Sequence, residues 1–160
     1  MPLWGLMAAD PIEIADRSAV TNHINILQAA IKRMADNSAA SKGWCLTLVS
    51  ALLGLAGAAH VAGIATTALV PVVVFGFLDA MYLGQEKAYR DLYNSVVKKI
   101  QAGSYAPADL FDMRAPFTAG HFWRALRSWS IFPVYLGLIA IYVVAKATGW
   151  IDLLAVVPPK

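Results

Sequence analysis

From Gly43 to Leu78 the chain runs thirty-six residues without an Asp, Glu, Lys or Arg. As one helix it would span about 54 Å at 1.5 Å per residue. A hydrocarbon core of roughly 30 Å needs only about 20 residues per crossing. The run is therefore too long for one crossing and right for two short ones. Small residues and an imidazole interrupt it at Ala58-Ala59-His60-Val61-Ala62-Gly63. The sequence predicts a hairpin of membrane helices, about 43–59 and 64–83, joined by a tight turn.

The remaining composition agrees with a membrane chain. Of 160 residues, 59% are hydrophobic and 14% charged, against about 25% charged in soluble domains. The net charge of +3 is too small to argue by itself for a nucleic-acid partner. A single cysteine, Cys45, excludes an intrachain disulfide and a cysteine-based zinc site; beside Trp44 it reads as a small packing residue. Residues 1–18 lack a basic start and carry Asp10, Glu13 and Asp16 before any long apolar run. They do not read as a signal peptide, and the first crossing is expected to direct insertion.

Ahead of the hairpin, residues 1–17 read as an apolar, proline-containing lead-in, and Ser18 as a helix N-cap. Val20, Ile24, Leu27, Ile31 and Met34 follow at 4-3-4-3 spacing, which places them on one helix face over two heptads. Residues 37–42 link this helix to the first crossing, with Lys42 and Trp44 at headgroup level. Beyond the second crossing, Glu86–Ile100 is amphipathic, with Tyr89, Leu92, Val96 and Ile100 on one side. Only Gly84 separates it from the membrane helix, so one long helix ending near Gly103 is expected. Its apolar face is the natural partner of the 20–34 seam, unless that seam associates with a second copy.

Residues 103–119 read as a loop with one helical turn after Pro107. Gly120–Ser130 sets Phe122, Trp123, Leu126 and Trp129 against Arg124 and Arg127, the pattern of a helix lying in the bilayer surface. Ile131–Val144 has no charge and, extended to Trp150, reads as a third crossing with Pro133 in its first turn. The basic residues number four before the first crossing, seven between the second and third, and two on the other side, Lys146 and Lys160. That bias places the N-terminus in the cytoplasm, and His60 and the C-terminus outside. The expected fold is an all-α membrane protein: three transmembrane helices, a cytosolic antiparallel helix pair (about 18–40 and 84–102) and an interfacial helix. Its segments are an N-terminal cytosolic part (1–42), the hairpin (43–83), a cytosolic helix and loop (84–119), the interfacial and third membrane helices (120–150) and a tail (151–160).

Three pieces carry a resemblance: I-x-R-M-A-x-N-S over 31–38, K-G-W-C-L-T-L-V-S-A over 42–51, and F-G-F-L-D-A-M-Y-L-G-Q-E-K-A-Y-R-x-L-Y over 75–93. They resemble a family of small bacterial inner-membrane proteins that includes membrane effectors of anti-phage defence, the Hailong-type effector among them. The resemblance covers about residues 24–100. It implies a bacterial inner-membrane location, a homo-oligomeric channel held closed until infection, and a nucleotidyltransferase-like cytosolic partner.

No phosphate-binding glycine loop, GxSxG or HExxH occurs, so neither an enzyme nor a cofactor is expected. His23 falls on the N-terminal helix, His60 outside and His121 at the inner interface, so under this topology they cannot share a metal. Asp79 lies about one turn inside the inner end of the second crossing, where a charge is costly and turns to a partner or to water. Two readings compete. Asp79 fixes the hairpin through Lys42 or the Trp44 indole, or a ring of Asp79 concentrates cations at an oligomeric pore, with Tyr82 and Glu86 continuing the stripe. Thr47, Ser50 and Gly54 on the first crossing are further pore candidates. Ser50, Gly54 and Ala58 form a small-xxx-small ridge that permits close contact within the chain or between copies. Lys98, Lys99, Arg124 and Arg127 are candidates for anionic lipid or for a nucleotide or nucleic-acid ligand. The expected function is a gated ion-permeable pore controlled through its cytosolic helices; the alternative is a non-conducting scaffold that recruits a cytosolic partner.

Overall fold

The computed structural model describes residues 11–153, with side chains described from Arg17 onward. The first ten residues of the lead-in and the tail beyond 153 lie outside the described residues. Every regular element within them is helical.

Helix α1 runs unbroken from Pro11 to Ala59, about 73 Å at 1.5 Å per residue. It begins seven residues before the expected cap at Ser18. Proline is well suited to the first helical position, and the sequence between Pro11 and Ser18 contains no helix breaker. At its other end His60 takes a left-handed conformation, φ 55°. His60 N–H then donates to the Gly57 carbonyl and Val61 N–H to that of Ala56, the paired bonds of a Schellman stop.

The second expected crossing is interrupted. Helix α2 covers Ala62–Thr67 and helix α3 covers Leu69–Gln101, with the break at Ala68. Pro71 explains it: proline clashes with the carbonyl four residues back, here Thr67, and has no N–H to give. The proline is harmless in the first turn of α3, where N–H groups lack intrahelical partners anyway. From there α3 continues straight through Gly84 to Gln101. It closes at Gly103, φ 64°, where Gly103 N–H reaches the Ile100 carbonyl and Ser104 N–H that of Lys99.

Helices α1 and α3 pack antiparallel along most of their length. Gln28 meets Tyr93, Lys42 meets Asp79, and the Cys45 thiol lies 3.7 Å from the Pro71 carbonyl. The buried face of α1 is His23, Leu27, Ala30, Met34, Ser38, Ser41, Cys45 and Ala56, with Val49 and Leu52 half-buried. Their spacing settles into the 3-4-4 pattern of an eleven-residue repeat rather than a heptad. Because 3.67 residues per turn nearly matches the α-helix, one face of α1 stays covered from His23 to Ala56, by α3 along its middle, by the loop after α3 at His23 and by α2 and α6 at Ala56. Of the expected seam, Leu27 and Met34 are buried, and Val20, Ile24 and Ile31 lie at its flank.

After α3 a single 3-10 turn spans Pro107–Asp109. Helix α4 covers Ala119–Leu126, shorter than the expected 120–130, and helix α5 covers Phe132–Ala147. At 16 residues, α5 is about 24 Å long, less than the bilayer core of about 30 Å. It does not continue to Trp150 because Gly149 turns the chain at φ 76°. The short helix α6, Trp150–Leu153, then folds Ile151 against Ala56 and Ala65.

Two helical stretches, Arg17–Ala59 and Ala62–Gln101, are long and apolar enough to cross a membrane. Their most apolar windows are only 17% and 33% buried, unlike core helices of a soluble protein. Bulky apolar side chains stand exposed at Trp44, Leu46, Leu48, Leu53 and Leu55 on α1, at Val70, Val73, Val74, Phe77 and Leu78 on α3, and along α5. Among the described residues, α3 exposes no bulky aliphatic or Phe side chain beyond Leu78. An apolar belt this continuous suits lipid rather than water. Its edge falls at Trp44 and Leu78, one turn or less from Lys42 and Asp79.

Candidate functional site

The belt edge carries a buried polar cluster built by three helices. On α1, Ser38 and Lys42 are four residues apart and so share a face. That face meets Asp79 of α3. The Lys42 ammonium lies 2.7 Å from Asp79 Oδ2 and 2.9 Å from Oδ1, with hydrogen-bond geometry toward Oδ1. It also donates to the Ser38 hydroxyl at 3.1 Å, which in turn donates to Asp79 Oδ1. Asp79 is fully buried, and the Lys42 side chain keeps 19% of its surface. Tyr135 of α5 closes the cluster. Its hydroxyl donates to the Phe75 carbonyl at 3.2 Å, one turn before Asp79, and its ring packs on Gly76, where an added Cβ would come within 3.3 Å. The Trp44 indole is largely exposed instead. An ion pair removed from water needs such hydrogen bonds to offset desolvation, and Ser38 supplies one.

The expected acidic stripe is covered rather than open. Glu86 is buried and pairs with Arg90 at 2.6 Å; Tyr82 is half-buried. Thr47, Ser50 and Gly54 point the other way. All three are exposed, Thr47 donates its hydroxyl back to the Gly43 carbonyl, and among the described residues no atom beyond the adjacent residues and the local helix backbone lies within 4 Å of a Cβ built at Gly54. The six pore candidates thus fall on two faces: Asp79, Tyr82 and Glu86 on the side of α3 that meets α1, the other three on the outward side of α1.

The four basic candidates also separate. Lys99 pairs with Asp109 at 2.6 Å near the far end of α3, with Lys98 exposed beside it. Arg124 and Arg127 lie on and just after α4, which docks on α3 around Gly84, where an added Cβ would meet Phe117 at 2.8 Å. Lys98 is fourteen residues beyond Gly84, about 21 Å along the helix.

His23 is a structural residue that the sequence treats as one of three scattered histidines. It is fully buried, its Nδ1 lies 2.8 Å from the Tyr105 hydroxyl, and Phe111 packs on its ring at 5.9 Å. This pins the loop after α3 to α1. Nearby, Arg114 grips Asp112 through both carboxylate oxygens at 2.9 and 3.0 Å. Those hydrogen bonds, first from the Arg114 side chain and then from its backbone N–H, hold the Asp112 carboxyl down at about 2. A hydrogen bond from Lys99 likewise holds Asp109 below its ordinary value. The position of His23 on the α1 seam, four residues before Leu27, was the signal that it would be buried.

Comparison of the chain with protein-family models, with curated proteins and with solved structures gives no match.

Proposed function

We propose that this chain is an oligomeric inner-membrane protein forming a gated ion-permeable pore, with three membrane-embedded helical segments and its gate in the helix pair outside the membrane. One observation carries the reading. The outward face of α1 is a stripe of small and weakly polar residues, Gly43, Thr47, Ser50, Gly54 and Ala58, all exposed within a belt of bulky apolar side chains. A lipid-facing surface gains nothing from hydroxyls and glycines, whereas close helix contact between copies does. One chain encloses too little space for an ion path, so the path would run between chains. The Lys42–Asp79 pair serves as the lock of the closed state. Helix α3 is continuous from Pro71 through Gly84 to Gln101, so a shift of its outer half is transmitted to Asp79 without a joint.

The defence role implied by the resemblance adds that the pore stays silent until a nucleotidyltransferase-like partner or an anionic ligand engages the outer helices. The scaffold reading is favoured by a different observation. A polar cleft of about 440 Å³ opens between the outer halves of α1 and α3, lined by Gln28, Ile31, Lys32, Ala35, Arg90, Tyr93 and Asn94, and it suits a partner without any pore.

Ion flux from liposomes of known protein content separates the two. A pore gives flux that scales with protein, shifts its opening threshold with Asp79→Asn, and is lost with Gly54→Leu, which fills only the outward stripe. Flux unchanged by Gly54→Leu would refute assembly through that face. Silence in wild type and Asp79→Asn alike would transfer the function to the scaffold.

A further inference from the structure

Where α4 lies across α3 at the belt edge, cations accumulate without enough carboxylates. The Lys87 ammonium donates to the Arg124 carbonyl at 2.9 Å, capping the open end of α4. The Arg124 guanidinium belongs to the same turn, and Arg127 follows three residues later as the exposed C-cap of α4. Two carboxylates are near. Glu86 is engaged by Arg90 at 2.6 Å. Asp91 is divided between His121, 3.2 Å away, and Arg124, 3.8 Å away. The His121 ring needs that contact: its Nδ1 accepts from the Thr118 backbone N–H at 3.2 Å, so in that tautomer its Nε2–H is the donor to Asp91. Of the three cations, Arg124 alone has a carboxylate oxygen within 4 Å among the described residues, and it shares that carboxylate with His121.

The surroundings of this corner point to lipid. Phe122 packs on the exposed Phe77 ring of the belt at 5.7 Å and Ala125 is buried in the core cluster with Cys45, Val72 and Ala80, so α4 is pressed into the belt edge. Trp123, Trp129 and Phe132 project outward, Trp129 at 89% exposure. Indoles and arginines together at the end of an apolar belt occupy the headgroup layer.

We propose that Lys87, Arg124 and Arg127 form a seat for the phosphate of an anionic phospholipid, flanked by Trp123 and Trp129, that clamps α4 onto α3 beside Gly84. Lys98 and Lys99 take no part in it. The seat rests on the membrane reading but not on conduction, and it makes the lipid composition of the membrane a determinant of how firmly α4 holds the α3 helix at its exit from the bilayer. A surface-bound cation contributes enough that losing two should weaken binding about 30-fold.

The test is retention of lipid by the full chain, extracted from vesicles of phosphatidylcholine with phosphatidylglycerol and weighed by native mass spectrometry. Wild type should retain phosphatidylglycerol over phosphatidylcholine, Arg124→Gln/Arg127→Gln should lose that preference about 30-fold, and Lys98→Gln/Lys99→Gln should keep it. Helix content and melting, measured in parallel, show that the exposed arginine variants remain folded. Equal losses in both double variants would mean diffuse charge attraction and overturn the seat, as would displacement of the lipid by millimolar inorganic phosphate. A wild type that washes off vesicles in alkaline carbonate would overturn the membrane reading itself. One that stays inserted with no lipid preference overturns only the seat.

Discussion

Replacing Lys42 by Met should harm the fold more than replacing Asp79 by Asn, and burial sets the asymmetry. Removing one partner of a buried ion pair costs about 3–5 kcal/mol, because the other charge is stranded. In Lys42→Met the stranded charge is a carboxylate with no exposed surface, left with no cation and only neutral neighbours such as the Ser38 hydroxyl, so the full range applies. In Asp79→Asn the stranded group is an ammonium on a flexible stem that already keeps 19% of its surface and turns outward to the headgroups. The Asn also retains an acceptor for Ser38, and about 1–2 kcal/mol is expected. The double variant strands nothing, so its cost should fall below the sum of the singles by about 2–3 kcal/mol. Reversible denaturant unfolding in mixed micelles measures all three, read as shifts in midpoint at constant slope. Single costs that add within about 0.5 kcal/mol, or an Asp79→Asn cost equal to that of Lys42→Met, would refute the pair as the coupling between α1 and α3.

Gly84→Leu should detach α4, because a Cβ there already meets the Phe117 ring at 2.8 Å and the His121 backbone at 3.4 Å. Overpacking of this kind costs about 1–3 kcal/mol, and it should appear as faster proteolysis within 114–127 while α1 and α3 stay protected; uniform protection would contradict the docking. The Asp112 carboxyl, held at about 2 against an ordinary 3.8, gives a signed pH dependence. The stability its Arg114 pairing gives within the loop is complete above about pH 4 and is lost as pH falls toward 2. Arg114→Ala should move the Asp112 midpoint up toward its ordinary value in a carboxylate NMR titration, and an unmoved midpoint would assign the depression to another group.

The charge-free run made the hairpin legible, because length and hydrophobicity alone limit what thirty-six such residues do. The continuity of α3 across Gly84 was legible too, since a lone glycine does not end a helix whose flanks both favour it. Pro71 was the missed local signal: its clash with Thr67 divides the second apolar segment into α2 and α3, a consequence carried by a single residue within a uniformly apolar run. Gly149 was the same kind of signal for α5, ending it short of Trp150. The pairing of Lys42 with Asp79 stood among the sequence alternatives, but Ser38 and Tyr135 did not, because they come from positions 41 residues before and 56 residues after Asp79.

The sequence by itself determined that the chain is helical, that its apolar segments are long enough to cross a bilayer, and where charge had to stay outside them. These follow from composition along the chain, and no contact is needed to read them. Only the tertiary structure decided which face of each helix is used. Packing α1 against α3 buries Asp79 and Glu86 and leaves Thr47, Ser50 and Gly54 outward. Docking α4 at Gly84 separates Arg124 and Arg127 from Lys98 and Lys99. A helix presents every face equally to a reader of sequence, and its neighbours choose which one is covered.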